Sequence, residues 1–208
     1  MKVLMINGSP RKNGNTAAAL NFMRNIFEQN GIEVKEILVG NNVEGCRACM
    51  GCYKTGMCVI DDAVREAVQE WESADAVLIG SPVYYSGISG SLKAFLDRMF
   101  YSGQCERRGK VGAAIVSVRR AGGTAALDQL NHFLLYNGMA LASSSYWPMV
   151  YGNKPGEVLK DTEGMETLEN LANNMIFMMK SFSLGKEQFG LPAVKTPKTY
   201  LNFVRNDL

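Results

Sequence analysis

The 208-residue sequence predicts a three-layer α/β fold built on a doubly wound parallel sheet, and three observations carry that prediction. Short apolar runs alternate with helical patterns along the chain, which implies parallel strands joined by right-handed crossovers. The run Ala76 to Ile79 is continuously apolar, as a strand covered on both faces must be. The first, third and fourth runs each end in a loop rich in glycine and hydroxyl or amide side chains that leads into a helix. With 47% hydrophobic residues, the chain fills one core and is too short for two full domains. One domain is expected over residues 1–181, with a cysteine-rich insertion at 45–60 and a C-terminal extension at 182–208.

Lys2 to Asn7 reads as the first strand and stops at Gly8-Ser9-Pro10. A helix follows Gly14, with Thr16, Leu20, Met23 and Phe27 on one face, Asn13 or Asn15 available as its cap, and Gly31 at the left-handed end. Ile32 to Val39 is a second strand. After the cysteines, Asp61 and Asp62 suit a helix start, and Val64, Ala67, Val68 and Trp71 form its inner face. The third strand ends at Gly80, and Ser89 opens a helix with Leu92, Phe95, Leu96 and Met99 inward. Val111 to Ser117 is the fourth strand; the loop to Thr124 opens a helix carrying Leu127, Leu130 and Leu134. Met139 to Ser145 is the expected fifth strand. The last helix places Met165, Leu168, Ala172, Met175 and Met179 at core spacing, and the periodicity ends at Phe182. Tyr200, Leu201, Phe203 and Val204 then remain apolar, which fits an arm packed on its own domain or one reaching across a subunit interface.

Charge and leader signals exclude some classes. A formal net charge of +2 gives no support to a nucleic-acid binder. No run reaches the length of a membrane span, Met1 leads straight into a core strand, and a cytoplasmic location is expected. In that compartment thiols stay reduced, so crowded cysteines point to metal or catalysis rather than to disulfides. Four of the five cysteines, Cys46, Cys49, Cys52 and Cys58, fall in the spacing C-x2-C-x2-C-x5-C. Three readings stay open: an iron–sulfur cluster, whose fourth ligand Gly56 would help bring round; zinc, which more often takes two separated pairs; or no metal. Cys105 reads as a bystander thiol, and His132, the single histidine, as a helix-face residue.

In a doubly wound sheet ligands bind outside the carboxyl ends of the strands, where connections diverge. Three loops belong there. Gly8 to Thr16 supplies Ser9, Arg11, Asn13, Gly14, Asn15 and Thr16 at a helix N-terminus, a place for a phosphate. It is neither a P-loop nor a dinucleotide fingerprint, so a monophosphate is the expected guest. Pro82, Val83, Tyr84 and Tyr85 offer an apolar and aromatic wall for a flat ring. Ser117 to Gly123, with Arg119 and Arg120, brings backbone donors and positive charge.

The loop Gly-Ser-Pro-Arg-x-x-Gly-Asn-Thr, the loop Ser-Pro-Val-Tyr with its sequel Gly-x-Leu-Lys-x-Phe-x-Asp-Arg, and the cysteine run between them resemble the NADPH-dependent FMN reductases. Within that branch of the flavodoxin-like superfamily, the similarity is greatest to the iron–sulfur flavoproteins and covers about the first 150 residues. The resemblance implies a flavodoxin-like sheet of five strands in the order 2-1-3-4-5. It also implies FMN, with Ser9, Arg11, Asn13, Gly14, Asn15 and Thr16 at its phosphate, Pro82, Val83, Tyr84 and Tyr85 against its ring, and ring contacts near Ser117, Gly122 and Gly123. A [4Fe-4S] cluster on Cys46, Cys49, Cys52 and Cys58 follows the same resemblance. The implied activity is electron transfer from NAD(P)H or ferredoxin to a quinone, flavin, azo or nitro compound, or to a one-electron partner. A homodimer or homotetramer is implied too. The alternatives are a non-catalytic electron carrier and a thiol-based redox sensor.

Overall fold

The computed structural model describes residues 1–103 and 105–190. Six strands form one sheet: β1 (Lys2–Asn7), β2 (Glu33–Leu38), β3 (Ala76–Pro82), β4 (Val111–Val118), β5 (Ala140–Leu141) and β6 (Met149–Tyr151). Their order is β2-β1-β3-β4-β5, with β6 also on β4, and every pairing is parallel. The helices are α1 (Asn15–Gln29), the short α2 (Cys52–Thr55), α3 (Ala63–Ser73), α4 (Gly90–Ser102), α5 (Gly123–Tyr136) and α6 (Thr162–Phe189).

The period-two alternation of strand side chains divides the core into two layers. Leu4, Ile6, Val77 and Ile79 point to one face, where α3, α4 and α5 bring Trp71, Phe95, Leu96 and Leu130. Val3, Met5, Ala76 and Leu78 point to the other, where α1 and α6 bring Leu20, Met23, Phe27, Leu168 and Met175. All of these side chains are buried.

Several elements depart from the sequence reading. The expected fifth strand over 139–145 shrinks to Ala140–Leu141, with Ala140 paired to Val111, and a further piece follows at Met149–Tyr151, with Met149 paired to Val116 five residues further along β4. Three consecutive serines, Ser143 to Ser145, and Pro148 occupy the gap, where short polar side chains compete for backbone hydrogen bonds and proline cannot donate one. Thus five strand positions are filled by six segments. The third strand continues past Gly80 because Ser81 and Pro82 still pair with Val116 and Ser117. Helix α1 is capped by neither asparagine: Gly14 is the N-cap, with no side-chain cap, and Asn15 is already helical. Helix α6 runs on to Phe189, beyond the end of the apolar repeat, since its last turns are exposed and need no buried stripe. The left-handed Gly31, by contrast, is as expected. The apolar residues from Tyr200 to Val204 lie outside the described residues.

Candidate functional site

Strands β1 and β3 are neighbours, yet β1 connects outward to β2 and β3 connects the other way to β4. The crevice beyond their carboxyl ends is therefore the switch point of the sheet. All three predicted loops meet there. The Gly8 N–H donates to the Gly80 carbonyl at 2.8 Å, which draws the first two loops together. An added Cβ at Gly8 would lie 2.4 Å from Leu92 and 2.9 Å from the Gly80 oxygen, so only glycine fits. The Ser89 hydroxyl donates to the Gly8 carbonyl at 2.7 Å and accepts from the Leu92 N–H at 3.3 Å, capping α4 and bracing the first loop together. Ser89→Ala is expected to cost about 1–2 kcal/mol, the loss of a cap and of one buried hydrogen bond, as measured by urea unfolding.

Within the first loop, buried Ser9 shapes a tight turn: its Oγ accepts from the Arg11 N–H at 3.1 Å, and its own N–H donates to the Asn7 side chain. Arg11 and Asn13 are exposed on the outside of the turn. Thr16, almost fully buried, shares a 2.7 Å hydrogen bond with Ser117, joining the first loop to the third. Asn15 Oδ1 is buried without a partner, and α1 opens with no side-chain cap on its free N–H groups. Uncapped donors at a helix start are an anion site by dipole and geometry.

The second loop closes in a two-residue hairpin turn. Tyr84 and Gly87 exchange both backbone hydrogen bonds, at 2.8 and 2.9 Å, while Tyr85 and Ser86 hold φ of 50° and 61°. Left-handed backbone costs a non-glycine residue about 1–2 kcal/mol each, so the strain is offset by the surrounding contacts. One such contact is Gly122 at φ 86°, whose added Cβ would stand 2.6 Å from Ser86 Oγ. Pro82 pairs with Ser117 in the β3–β4 ladder, and the Val83 N–H donates to the Ser117 carbonyl at 3.0 Å. Pro82 and Val83 are half-buried, and Tyr84 and Tyr85 are exposed beside the crevice. Gly123 is buried against Met149, which fixes the start of α5.

The cysteine stretch forms a second feature. Cys46, Cys49, Cys52 and Cys58 are all free thiols and all line one small pocket, together with Arg98 and Tyr101. Ala48 and Met50 adopt φ of 51° and 58°, and Gly56 ends α2 at φ 73°, so the backbone curls repeatedly around the pocket. Among the described residues, however, no three His, Cys, Asp or Glu side chains converge closely enough to hold a metal ion. Tyr101 stacks edge-on with Tyr53 at 5.8 Å between centroids, and its hydroxyl donates to the Met50 sulfur. The hydrogen bond with Tyr53, burial, and the nearby anionic forms of Tyr53, Cys52 and Cys46 push its pKa up to about 12, so it stays a neutral donor at physiological pH.

Arg98 closes the Gly-x-Leu-Lys-x-Phe-x-Asp-Arg motif, which does not by itself give it a role. It is 1% exposed and donates to both Asp62 oxygens at 2.6 and 2.9 Å, and through Nε and Nη2 to Cys58 Sγ at 3.3 Å. Burial would lower its pKa, but the partners Asp62 and Cys58 outweigh that and raise it, which keeps the guanidinium charged. The available signal was an arginine three residues after Phe95, on the buried stripe of α4. Asp62 caps α3 as expected, through the Val64 N–H at 3.1 Å. Cys105 packs on the core edge, and His132 is exposed on the face of α5.

A parallel 2-1-3-4-5 sheet with its ligand crevice at the β1–β3 switch defines a flavodoxin-like α/β protein. Residues 1–154 match the family model for NADPH-dependent FMN reductase, and the chain belongs to that family. It is 33% identical over 190 residues to an iron–sulfur flavoprotein of Methanocaldococcus jannaschii, covering 86% of this chain and 98% of the relative. Over 194 residues it is 27% identical to an iron–sulfur flavoprotein of Methanosarcina thermophila, covering 90% of this chain and all of the relative, 100%. Among solved structures, FerB, a flavoenzyme NAD(P)H:(acceptor) oxidoreductase from Paracoccus denitrificans, superposes with a TM-score of 0.66 at 18% identity, covering 87% of this chain and 98% of that one. An archaeal flavodoxin superposes at 0.58 and 19% identity over 86% of this chain and 99% of its own. These last two likenesses speak for the fold. No helix among the described residues is long and apolar enough to cross a membrane.

Proposed function

We propose that the protein is an FMN-dependent oxidoreductase that takes electrons from NAD(P)H and delivers them to a small acceptor such as a quinone, flavin, azo or nitro compound. The observation that carries this is the convergence of three loops on the β1–β3 crevice, with the uncapped N–H groups of a helix start at one end. The chain's groups fit FMN. The N–H groups at the start of α1, with Ser9, Arg11, Asn13, Gly14, Asn15 and Thr16, would hold the phosphate, and Asn15 could turn its amide toward it. Pro82, Val83, Tyr84 and Tyr85 would cover one side of the ring, and the backbone from Ser117 to Gly123 would meet its polar edge. Bound FMN supplies hydride acceptance and onward electron release; the protein's share is orientation, exclusion of water and electrostatics.

Fluorescence titration of apoprotein with FMN tests the binding half. One FMN per chain is expected, with affinity at least tenfold weaker in Thr16→Val, which breaks the bridge to Ser117. Absence of saturable FMN binding would refute the reading. Arg119 and Arg120 are exposed beside Gly122 and Gly123, and neither has an ion-pair partner among the described residues. Replacing both with alanine is expected to raise KM for NADPH about tenfold, the loss of one charge-assisted contact of about 1.4 kcal/mol, with KM for NADH little changed.

A second reading concerns the cysteines, supported by the shared pocket and by the names of the two relatives. We infer that Cys46, Cys49, Cys52 and Cys58 hold a [4Fe-4S] cluster that lets electrons leave singly to a one-electron partner, with ferredoxin as the alternative donor. Four cysteine thiols on one pocket are the donor set such a cluster would take, and it would supply one-electron chemistry there. Iron near four per chain after anaerobic preparation is expected. Flavin without iron would leave the two-electron reductase alone. A homodimer or homotetramer remains the proposed assembly, measurable by sedimentation.

A further inference from the structure

The four cysteines are not equivalent. Cys58 receives two guanidinium N–H groups, whereas among the described residues no side-chain donor reaches Cys46, Cys49 or Cys52. The same guanidinium reaches the Glu44 carbonyl at 3.2 Å and the Ile60 carbonyl at 3.3 Å, on either side of the cysteine stretch. Asp62 holds it from a third direction, and at 1% exposure it has no room to swing away. A buried cation is thus locked against one sulfur of the pocket from the side of α4.

We propose that Arg98 is a positioning residue that fixes Cys58 and raises the one-electron reduction potential of the iron–sulfur site. The proposal rests on the iron–sulfur reading above. Its physical basis is the pair of charge-assisted hydrogen bonds to Cys58 Sγ. One-electron reduction, with dithionite as donor in the test and no bond made or broken, leaves the iron, sulfide and four thiolates one unit more negative. Hydrogen bonds to cluster sulfurs and local charge are the protein's levers on such potentials, and a charge-assisted N–H to sulfur strengthens as the sulfur gains electron density. Asp62 takes the adjacent Nη1–Nη2 edge and shares Nη2 with Cys58, so it neutralises much of the charge and leaves the two N–H groups on sulfur as the lever.

The test is an EPR-monitored dithionite titration of wild type and Arg98→Lys, prepared anaerobically, with the flavin potential in the same sample as the internal reference. Lysine keeps the charge and can hold Asp62, but it cannot also place two N–H groups on Cys58. The expected result is a one-electron reduction constant about tenfold lower, or about 59 mV more negative, with the flavin potential unmoved. The midpoint is read on the loaded fraction, so partial iron loss does not obscure it. An iron-loaded variant with the wild-type midpoint overturns the proposal. So does a folded, FMN-bound variant that takes up no iron, since Arg98 would then serve assembly and not potential. Wild-type protein without iron is a different failure, recognised before any variant is made: it removes the iron–sulfur reading and this inference with it, and leaves the flavin reading standing.

Discussion

Asp62→Ala is expected to destabilise the fold by about 3–5 kcal/mol, because it leaves a buried guanidinium without its counter-charge. Arg98 is 1% exposed, and its carboxylate partner is itself mostly covered, with a side chain 21% exposed. The variant also removes the cap on the Val64 N–H, a further loss of about 1 kcal/mol. Urea unfolding at constant m-value reads the sum. Asp62→Asn keeps a cap acceptor and should lie between. Asp61→Ala is the control: Asp61 meets Arg65 in an exposed i,i+4 pair, where a loss under about 0.5 kcal/mol is expected. A wild-type stability in Asp62→Ala would mean that the Arg98 charge is not buried as the structure has it.

The second large effect is at Gly8. Gly8→Ala is expected to cost about 1–3 kcal/mol, since the new methyl must displace either Leu92, which is fully buried, or the carbonyl of Gly80. The consequence for FMN is larger in proportion. Gly8 joins the first loop to the second, and a shift of even half an ångström there moves the start of α1 relative to the ring wall. An affinity for FMN reduced at least tenfold is predicted from fluorescence titration. Gly90→Ala, at a site where an added Cβ meets nothing within 4 Å, should leave both stability and affinity near wild type. Equal behaviour of the two variants would contradict the account of the crevice.

The sheet and its helices were legible in the sequence because their residues repeat with the right period: Ala76 to Ile79 for a doubly covered strand, and Leu92, Phe95, Leu96 and Met99 for an inward stripe. The fifth strand was not, because Met139 to Ala142 and Met149 to Tyr151 are separated by serines and a proline that carry no period at all. The three loops of the crevice could be named from composition and from family resemblance. Their connections could not: Thr16 with Ser117 and Gly122 with Ser86 meet across the chain, and nothing local in either segment announces the other. Arg98 shows the same limit, since a charge on a buried stripe signals a partner without saying which. Its partners Asp62 and Cys58 lie 36 and 40 residues earlier in the chain.

The central claim is that the β1–β3 crevice holds FMN for reduction by a nicotinamide. Anaerobic stopped-flow mixing of the FMN-loaded protein with NADPH tests it most directly. Loss of the oxidised-flavin absorbance in a single saturable phase, returning when a quinone is added, is the predicted result. Flavin that stays oxidised with both NADPH and NADH, in protein that has bound one FMN per chain, would contradict it.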